Sequence, residues 1–272
     1  MRKKDIVVVS LITLIVIIFL VPILFVLETV VTNGLKVIIS YGPRFFIDPP
    51  PNPGDGLGGI GPALEGSLFM VSLAVLISAP ISTLTGVFLI FYEKSKIASL
   101  IRTSLELIVE FPTIVIGIII FTILVLEINL GLNGITAAVA LAIVMLPYST
   151  IQVSETLRIP KRLYEEVAYS LGLTTWQVIK LVMYTGKRGI INSLLIGFAK
   201  IIGETAPIIF LTSSTANLYI KTVTTPITGI PIMIYNYAFS GYSNLNEVAW
   251  GASFILIVLV TVVFVIVRKI TK

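Results

Sequence analysis

Long apolar runs separated by short polar segments dominate the chain. A membrane-spanning helix needs about 20 mainly apolar residues, because the hydrocarbon core of a bilayer is about 30 Å thick. Six stretches satisfy this requirement, at positions 6–27, 68–92, 100–126, 135–153, 190–212 and 248–267. The pattern therefore predicts an all-α, polytopic membrane protein with six transmembrane helices, folded as a single domain over residues 1–272.

The first apolar run follows Arg2, Lys3 and Lys4, an arrangement that a secretory signal peptide also has. The run at 6–27 is longer than the about 7–15 apolar residues of a signal peptide, and no small-residue cleavage site follows it. We therefore expect this run to stay in the protein as its first span.

Lys and Arg residues are distributed unevenly between the spans. If successive spans cross in alternate directions, fifteen of the 19 Lys and Arg residues fall on one side, and only Lys36, Arg44 and Lys221 fall on the other. Loops rich in Lys and Arg stay in the cytoplasm. The bias predicts a cell-membrane protein whose N- and C-termini are cytoplasmic, together with the segment 154–189.

The composition agrees with a lipid environment. Hydrophobic residues make up 56% of the chain and charged residues 12%, with a mean hydropathy of +1.04. A soluble domain of this length needs more charge on its surface. The net charge of +5 would suit nucleic acid, but the basic residues are not gathered on one aromatic-laced segment, so we expect no nucleic-acid partner.

The residue types present exclude several kinds of chemistry. The chain has no Cys and no His, which excludes disulfides, thiolate zinc sites and imidazole-based catalysis. Asp5, Asp48 and Asp55 lie outside the spans, which excludes an intramembrane protease with paired Asp residues. The G-x-x-x-x-G-K-[ST] loop that binds ATP phosphates is also missing. We expect no metal, no cofactor and no enzymatic activity in this chain.

Two long segments fall on the side opposite to the basic loops. The proline-rich segment 31–67 contains Gly56, Gly58 and Gly61 in the spacing G-x-G-x-x-G, but no strand precedes them, so the spacing does not predict a dinucleotide site. We expect a flexible loop there. The segment 213–247 carries an aromatic cluster, and it either folds back against the helices or contacts an external partner.

The segment 154–189 has the pattern of helices rather than of a loop. Pro160 favours a helix start, Gly172 favours the end of that helix, and Thr174 or Thr175 can cap the next one. The predicted product is a helix–glycine–helix elbow across the inner membrane face. Its apolar residues share one helical stripe: Leu163, Val167 and Leu171.

Two interpretations of this elbow fit the pattern. A soluble motor can hold it and move the attached spans, since short helices move as rigid bodies. Alternatively, it is an ordinary amphipathic helix at the membrane surface, without a protein partner.

Two charged residues lie inside the fifth predicted span. Lys200 and Glu204 are four residues apart and therefore share one helix face. Charges within a bilayer are costly and usually face the protein interior or a wet cavity. We favour a translocation pathway, in which Lys200 attracts an anion, over a purely structural ion pair. Glu110 in the third span, which shares a face with Glu106, is a further pathway candidate.

The elbow sequence resembles a known signature. Residues 166–172 read Glu-Val-Ala-Tyr-Ser-Leu-Gly and are similar to the E-A-A-x-x-x-G motif of the permease subunits of ATP-binding-cassette (ABC) importers. In that family the loop is a coupling helix that docks on the ATPase subunit. The later I-x-L-P part of the signature is incomplete, because Tyr184 and Thr185 depart from it. The resemblance implies an ATPase-coupling role for four residues: Glu166, Ala168, Gly172 and Trp176.

A second resemblance points to one branch of that family. Residues 203–207 read Gly-Glu-Thr-Ala-Pro and resemble the fifth-span motif of PstA-type phosphate permeases, and residues 111–117 and 58–63 resemble other stretches of the same proteins. The resemblance implies a permease that imports phosphate with energy from a separate ATPase. The candidate pathway then comprises Lys200, Glu204, Thr205, Pro207 and Glu110.

The same resemblance implies a set of partners. These are two PstB-like ATPase subunits, a PstC-like second permease in a heterodimer, and an extracytoplasmic PstS-like phosphate-binding protein, all assembled in membrane lipid. Sulfate, molybdate or another small oxyanion stays open as the substrate, because nothing in the spans identifies phosphate by its chemistry. An ion-coupled secondary transporter would also use intramembrane charges, but it needs no elbow that docks on an ATPase.

Overall fold

Helices form almost all of the regular structure in residues 3–213 and 218–271, which are the part of the chain that the computed structural model describes. No strand occurs in that part, and Arg2 and Lys272, which the charge argument uses, lie outside it. The helices are α1 (Lys3–Tyr41), α2 (Gly61–Phe91), α3 (Lys96–Glu110), α4 (Thr113–Ile120), α5 (Gly134–Ser170), α6 (Thr175–Thr185), α7 (Lys187–Ile202), α8 (Ile230–Ala238) and α9 (Ser243–Thr271).

Four of the described helices, α1, α2, α5 and α9, are long and apolar enough to cross a membrane. A fifth crossing is formed if α3 counts together with α4 and the π-helical turn Phe121–Glu127, although this pair bends by 103°. The predicted span at 190–212 is interrupted, because α7 ends at Ile202 and a 3₁₀ turn follows at Ala206–Ile208. The chain is thus an all-helical, multi-pass membrane protein, and the count of six spans stays a prediction.

The prediction that a helix starts at Pro160 is wrong, since α5 continues through Pro147 and Pro160 without a break. Proline removes only one backbone hydrogen bond from a helix, and packing on neighbouring helices compensates for that loss. Leu157 and Ala168, on either side of Pro160, are both buried in such packing. The helix that begins as a span therefore runs directly into the predicted elbow.

The core lies where α2 and α5 pack along most of their lengths. Small and medium apolar side chains of α5, including Ala137, Leu141 and Met145, are fully buried against Met70 and Ala74 of α2. Small residues allow close helix contact, which is how helices associate where lipid provides no hydrophobic driving force. This pair of helices forms the frame on which the other helices are placed.

Helix α7 is seated on α5 through three small residues spaced four apart: Gly189, Ser193 and Gly197. A Cβ atom on Gly189 would collide with Thr156 of α5, and one on Gly197 would collide with Ser149. The hydroxyls of Ser193 and Thr156 lie 3.1 Å apart and form a hydrogen bond across the contact. We call these three residues of α7 the small-residue seam; it fixes the end of α7 that carries Lys200 beside α5.

The proline-rich loop before α2 is ordered, which differs from the flexible loop that the sequence predicts. The amide of Ile60 donates to the Phe45 carbonyl at 2.8 Å, and the amide of Gly59 donates to the Pro49 carbonyl at 3.0 Å. Phe45 and Ile60 are completely buried against α8 and α9. The loop therefore forms a packed cap over one end of the bundle.

The segment before and within α8 folds back into the bundle, which is the first of the two alternatives for 213–247. Ile227, Ile230 and Met233 are almost completely buried. The amide of Ile230 donates to the Ser67 hydroxyl of α2 at 2.7 Å. Gly66 of α2 has no side chain, which leaves room for the backbone of Thr228 to pack against it. This segment closes the same end of the bundle as the cap.

The cap gives a first prediction. A Cβ atom on Gly59 would lie 2.8 Å from the Phe45 carbonyl oxygen and would also press on the Asp48 carbonyl, so we expect Gly59→Ala to lower the free energy of unfolding by about 1–3 kcal/mol. Gly56→Ala is the matched control, because nothing lies within 4 Å of its Cβ position. Thermal unfolding in detergent measures both variants, and equal melting temperatures would contradict the packed cap.

Candidate functional site

The predicted helix–glycine–helix elbow is present at the end of α5. Gly172 follows Ser170 by two residues and adopts a φ of +80°, a left-handed conformation that favours glycine. The amide of Leu173 donates to the Ala168 carbonyl at 3.1 Å, which closes the end of α5. Thr174 is the N-cap of α6, and Gln177, three residues later, takes part in a capping box by accepting from the Thr174 amide and hydroxyl at 2.8 and 3.0 Å.

One side of the elbow is packed. Ala168, which the sequence assigned to ATPase coupling, is 3% exposed and contacts the α6 face that carries Val178 and Val182. The same cluster includes Leu157 of α5 and Val87 of α2. Ala168 therefore holds the two arms of the elbow together and does not reach its outer surface.

The opposite side of the elbow is an apolar surface without a partner in the described chain. Trp176 is 61% exposed, and Lys180 lies with its ammonium 5.2 Å from the centre of the Trp176 ring. Exposed apolar surface of this kind marks a site of contact with a protein partner or with a membrane. We call it the elbow surface; its members are more than half exposed and comprise Leu163, Val167, Leu171 and Trp176.

Glu166 lies beside the elbow surface with an exposed side chain. It lines an open cleft of about 390 Å³ between the end of α2 and the last turns of α5. Lys161, on the wall of this cleft, donates to the Ile90 carbonyl at 2.7 Å and pairs with Glu165 at 3.6 Å. These contacts tie the elbow to the end of α2, and Glu166 is exposed beside them.

The second group of candidate residues lies where α7 breaks. Lys200 is in the last turn of α7 and forms an ion pair with Glu204, which follows the non-helical Gly203. The Glu204 side chain is 13% exposed and the Lys200 side chain 36%. The Lys200 ammonium also lies 5.6 Å from the centre of the Tyr148 ring of α5. The predicted pairing of the two charges is thus present.

The break in α7 faces a second break, between α3 and α4. The hydroxyl of Thr113, the first residue of α4, donates to the second carboxylate oxygen of Glu204 at 3.4 Å across 91 residues of sequence. Gly117 has no Cβ atom, and the space is filled by the backbone of Pro207. The two stretches that resemble family motifs therefore pack directly on each other. Sequence reasoning singled out the stretch with Thr113 but did not identify Thr113 as a site residue.

The remaining pathway candidates occupy different positions around this junction. Thr205 is half-buried in the non-helical segment beside Glu204, and Pro207 is buried in the 3₁₀ turn that follows. Glu110 ends α3 with an exposed side chain, and the contact with the ion pair is made by Thr113 three residues later. The structure thus brings Lys200, Glu204 and Thr113 together and leaves Glu110 at the margin.

A helix break beside a pair of charges, within a run that is mostly apolar, has a physical meaning in a membrane protein. Non-helical backbone within a membrane is tolerated only where protein buries it or where it lines a wet cavity. Interrupted helices that face each other build the substrate sites of many transporters. The junction of α4 with the segment after α7 is therefore a candidate pathway site, and the elbow is a candidate docking site.

These features define the class of protein, a membrane transport subunit with the fold of ABC-importer permeases. A solved structure described as "Inward facing conformations of the MetNI methionine ABC transporter: CY5 native crystal form" shares this fold, with a TM-score of 0.62 and 18% sequence identity over 76% of this chain and 91% of that chain.

The chain belongs to the family of binding-protein-dependent transport system inner membrane components, whose sequence pattern matches residues 78–272. The "Probable phosphate transport system permease protein PstA" of Methanocaldococcus jannaschii is 31% identical over 92% of this chain and 88% of its own length. The PstA proteins of Pasteurella multocida and Haemophilus influenzae are also 31% identical, over 89% and 84% of this chain and 85% and 79% of their own lengths. The chain is accordingly a permease subunit rather than an enzyme, and both candidate sites lie within the matched region.

The turn at Gly172 gives a second prediction. A Cβ atom meets no neighbour there, so the cost of Gly172→Ala is the left-handed backbone alone, about 1 kcal/mol. Gly172→Asn is the matched variant, since Asn tolerates this conformation better than Ala. Hydrogen exchange of the α6 amides should rise in the Ala variant and change less in the Asn variant. Equal exchange in the two variants would show that the turn does not depend on its backbone conformation.

Proposed function

We propose that the chain is the permease subunit of an ABC importer that moves inorganic phosphate into the cell with energy from a separate ATPase. The observation that carries this proposal is the similarity of nearly the whole chain to PstA phosphate permeases. The elbow surface and the Lys200–Glu204 junction support it, because they supply a docking site and a charged site at two separate places on one chain.

In this proposal the chain crosses the membrane six times, with both termini and the elbow in the cytoplasm. Helix α7 has 16 residues, and the segment 203–212 with its 3₁₀ turn completes that crossing. The excess of Lys and Arg on the elbow side supports this orientation. The ordered cap and α8 then close the extracytoplasmic end.

The elbow serves as the coupling helix. An ATPase groove covers the elbow surface, where Trp176 provides the largest apolar side chain, and a basic group of the ATPase meets Glu166. Ala168 and Gly172 act indirectly, because one packs the two arms of the elbow and the other makes the turn between them. Nucleotide-driven movement of the ATPase then shifts α5, α6 and α7 as rigid bodies.

The pathway runs past the junction at Glu204. Lys200 supplies the positive charge for the anion, Thr205 and Pro207 shape the non-helical segment, and Glu110 lies near its cytoplasmic side. The working assembly contains two PstB-like ATPase subunits, a PstC-like second permease and an extracytoplasmic PstS-like binding protein, as the similarity to phosphate permeases suggests.

A permease for sulfate or molybdate is the second candidate. The observation in its favour is that Lys200 offers a single ammonium, which binds as a point charge and does not distinguish one tetrahedral oxyanion from another. Selectivity would then rest with the binding protein.

Charge reversal at the elbow tests the coupling role. We expect Glu166→Lys to reduce copurification of the ATPase subunits and to lower transport-coupled ATP hydrolysis at least about tenfold. The reason is that the new positive charge at position 166 would face the basic group proposed on the ATPase and repel it. Glu127→Lys is the control, since Glu127 is an exposed carboxylate outside the elbow. Full ATPase coupling in the Glu166 variant would remove the elbow from the mechanism.

Uptake in a strain without its own phosphate and sulfate importers tests the substrate. We expect labelled phosphate to enter and labelled sulfate not to enter, with uptake lost when ATP hydrolysis is blocked. Lys200→Gln should reduce phosphate uptake more than about tenfold, and Lys200→Arg should retain most of it, because the charge is the feature required. Sulfate uptake would favour the second candidate, and uptake that persists without hydrolysis would indicate a secondary transporter.

A further inference from the structure

Glu204 places a negative charge beside Lys200, the proposed positive group of the pathway. This arrangement needs an explanation in a protein that imports anions. Glu204 neutralises Lys200, and the pair has no net charge with which to attract phosphate. If the pair were only structural, the pathway would lack a positive group at this junction. The geometry around Glu204 suggests a different role.

Glu204 has two partners, one for each carboxylate oxygen. One oxygen accepts from the Lys200 ammonium, and the other accepts from the Thr113 hydroxyl at 3.4 Å. Thr113 begins α4, and its preceding residue Pro112 provides no side-chain cap, so the free amides of this helix end also favour a negative charge. The carboxylate therefore keeps a favourable position if Lys200 is taken from it.

Lys200 is accessible from a direction that Glu204 does not cover. About a third of its side chain is exposed, whereas Glu204 is nearly buried. The Tyr148 ring lies on another side of the ammonium and can accommodate the cation while its anionic partner changes. Gly203, next to Glu204, has open space around its Cβ position, so the backbone there has room to shift.

From these contacts we propose that Glu204 is a built-in surrogate for the transported oxyanion. It occupies Lys200 when no substrate is present, and it moves onto Thr113 when an oxyanion binds the ammonium. Thr113 is thus a positioning residue that holds the displaced carboxylate. This inference rests on the proposed function, because it assigns a mode of substrate binding to the same site.

Exchange of one anion for another explains why an ion pair with a partly exposed Lys200 suits this site. An ammonium left alone in the membrane interior is strongly unfavourable, whereas the exchange keeps the Lys200 ammonium paired with an anion in both states, and Thr113 with the amide end of α4 holds the displaced carboxylate. A neutral solute cannot displace the carboxylate. The site therefore admits anions without carrying an uncompensated charge between transport events.

Binding of radiolabelled inorganic phosphate to the assembled transporter in lipid nanodiscs tests the proposal. Glu204→Gln removes the competing charge, and we expect it to bind phosphate at least about tenfold more tightly than the unsubstituted complex. Glu127→Gln is the matched control and should leave binding unchanged. If neither phosphate nor labelled sulfate binds more tightly to the Glu204 variant than to the unsubstituted complex, the proposal is overturned.

Variants of Thr113 test whether this residue holds the displaced Glu204 carboxylate, and they leave every charge of the site unchanged. Thr113→Val removes the hydroxyl that donates to the displaced Glu204 carboxylate, so phosphate binding should weaken severalfold. Thr113→Ser keeps a hydroxyl and should restore the binding. Thr122→Val, on the following π-helical turn, is the control, because the Thr122 side chain is exposed and its hydroxyl donates to the Ile118 carbonyl one turn earlier. Equal binding by the Val and Ser variants of Thr113 would contradict its positioning role.

Labelled sulfate separates this inference from the substrate assignment. If Glu204→Gln tightens sulfate binding but not phosphate binding, the surrogate role stands and the phosphate assignment fails. If the unsubstituted complex transports phosphate but Glu204→Gln does not tighten the binding of either anion, the surrogate role fails and the proposed function stands.

Discussion

The ion pair between Lys200 and Glu204 lies in a place where neither charge is stable alone. Within a membrane, charges and interrupted backbone are stable only where protein groups or a wet cavity satisfy them. Tyr148 from α5 and Thr113 from α4 supply the additional contacts. The two helix breaks meet at this pair, and their contacts place α4 against the segment after α7.

The elbow and the junction are linked through one rigid element. Helix α7 starts directly after α6 and carries Lys200 in its last turn, and the small-residue seam keeps it against α5 along the way. Side chains larger than those of Gly189 and Gly197 would separate the two helices. A displacement of the elbow consequently reaches the junction without being absorbed by loose packing, since close-packed helices move as units.

The sequence predicted correctly those structural features that depend on residues close together in the chain. The apolar runs indicated the long helices, and Gly172 and Thr174 predicted the turn and cap of the elbow because those features depend on a few adjacent residues. Pro160 misled the prediction, because buried packing on both sides keeps α5 intact. The contact of Thr113 with Glu204 spans 91 residues, and helical periodicity identifies the apolar face of a helix but not its neighbour.

The motif residues divide into two physical roles once their neighbours are known. Gly59, Gly117 and Gly197 occupy positions where any side chain would collide with backbone or with an opposing helix, so they are packing requirements. Glu204 is different, because nothing in the packing demands a carboxylate at that point. A glutamine of the same shape would fill the space and still bond to Thr113. The Glu204 carboxylate compensates the charge of the Lys200 ammonium, and in the proposed exchange it also gives way to a transported anion.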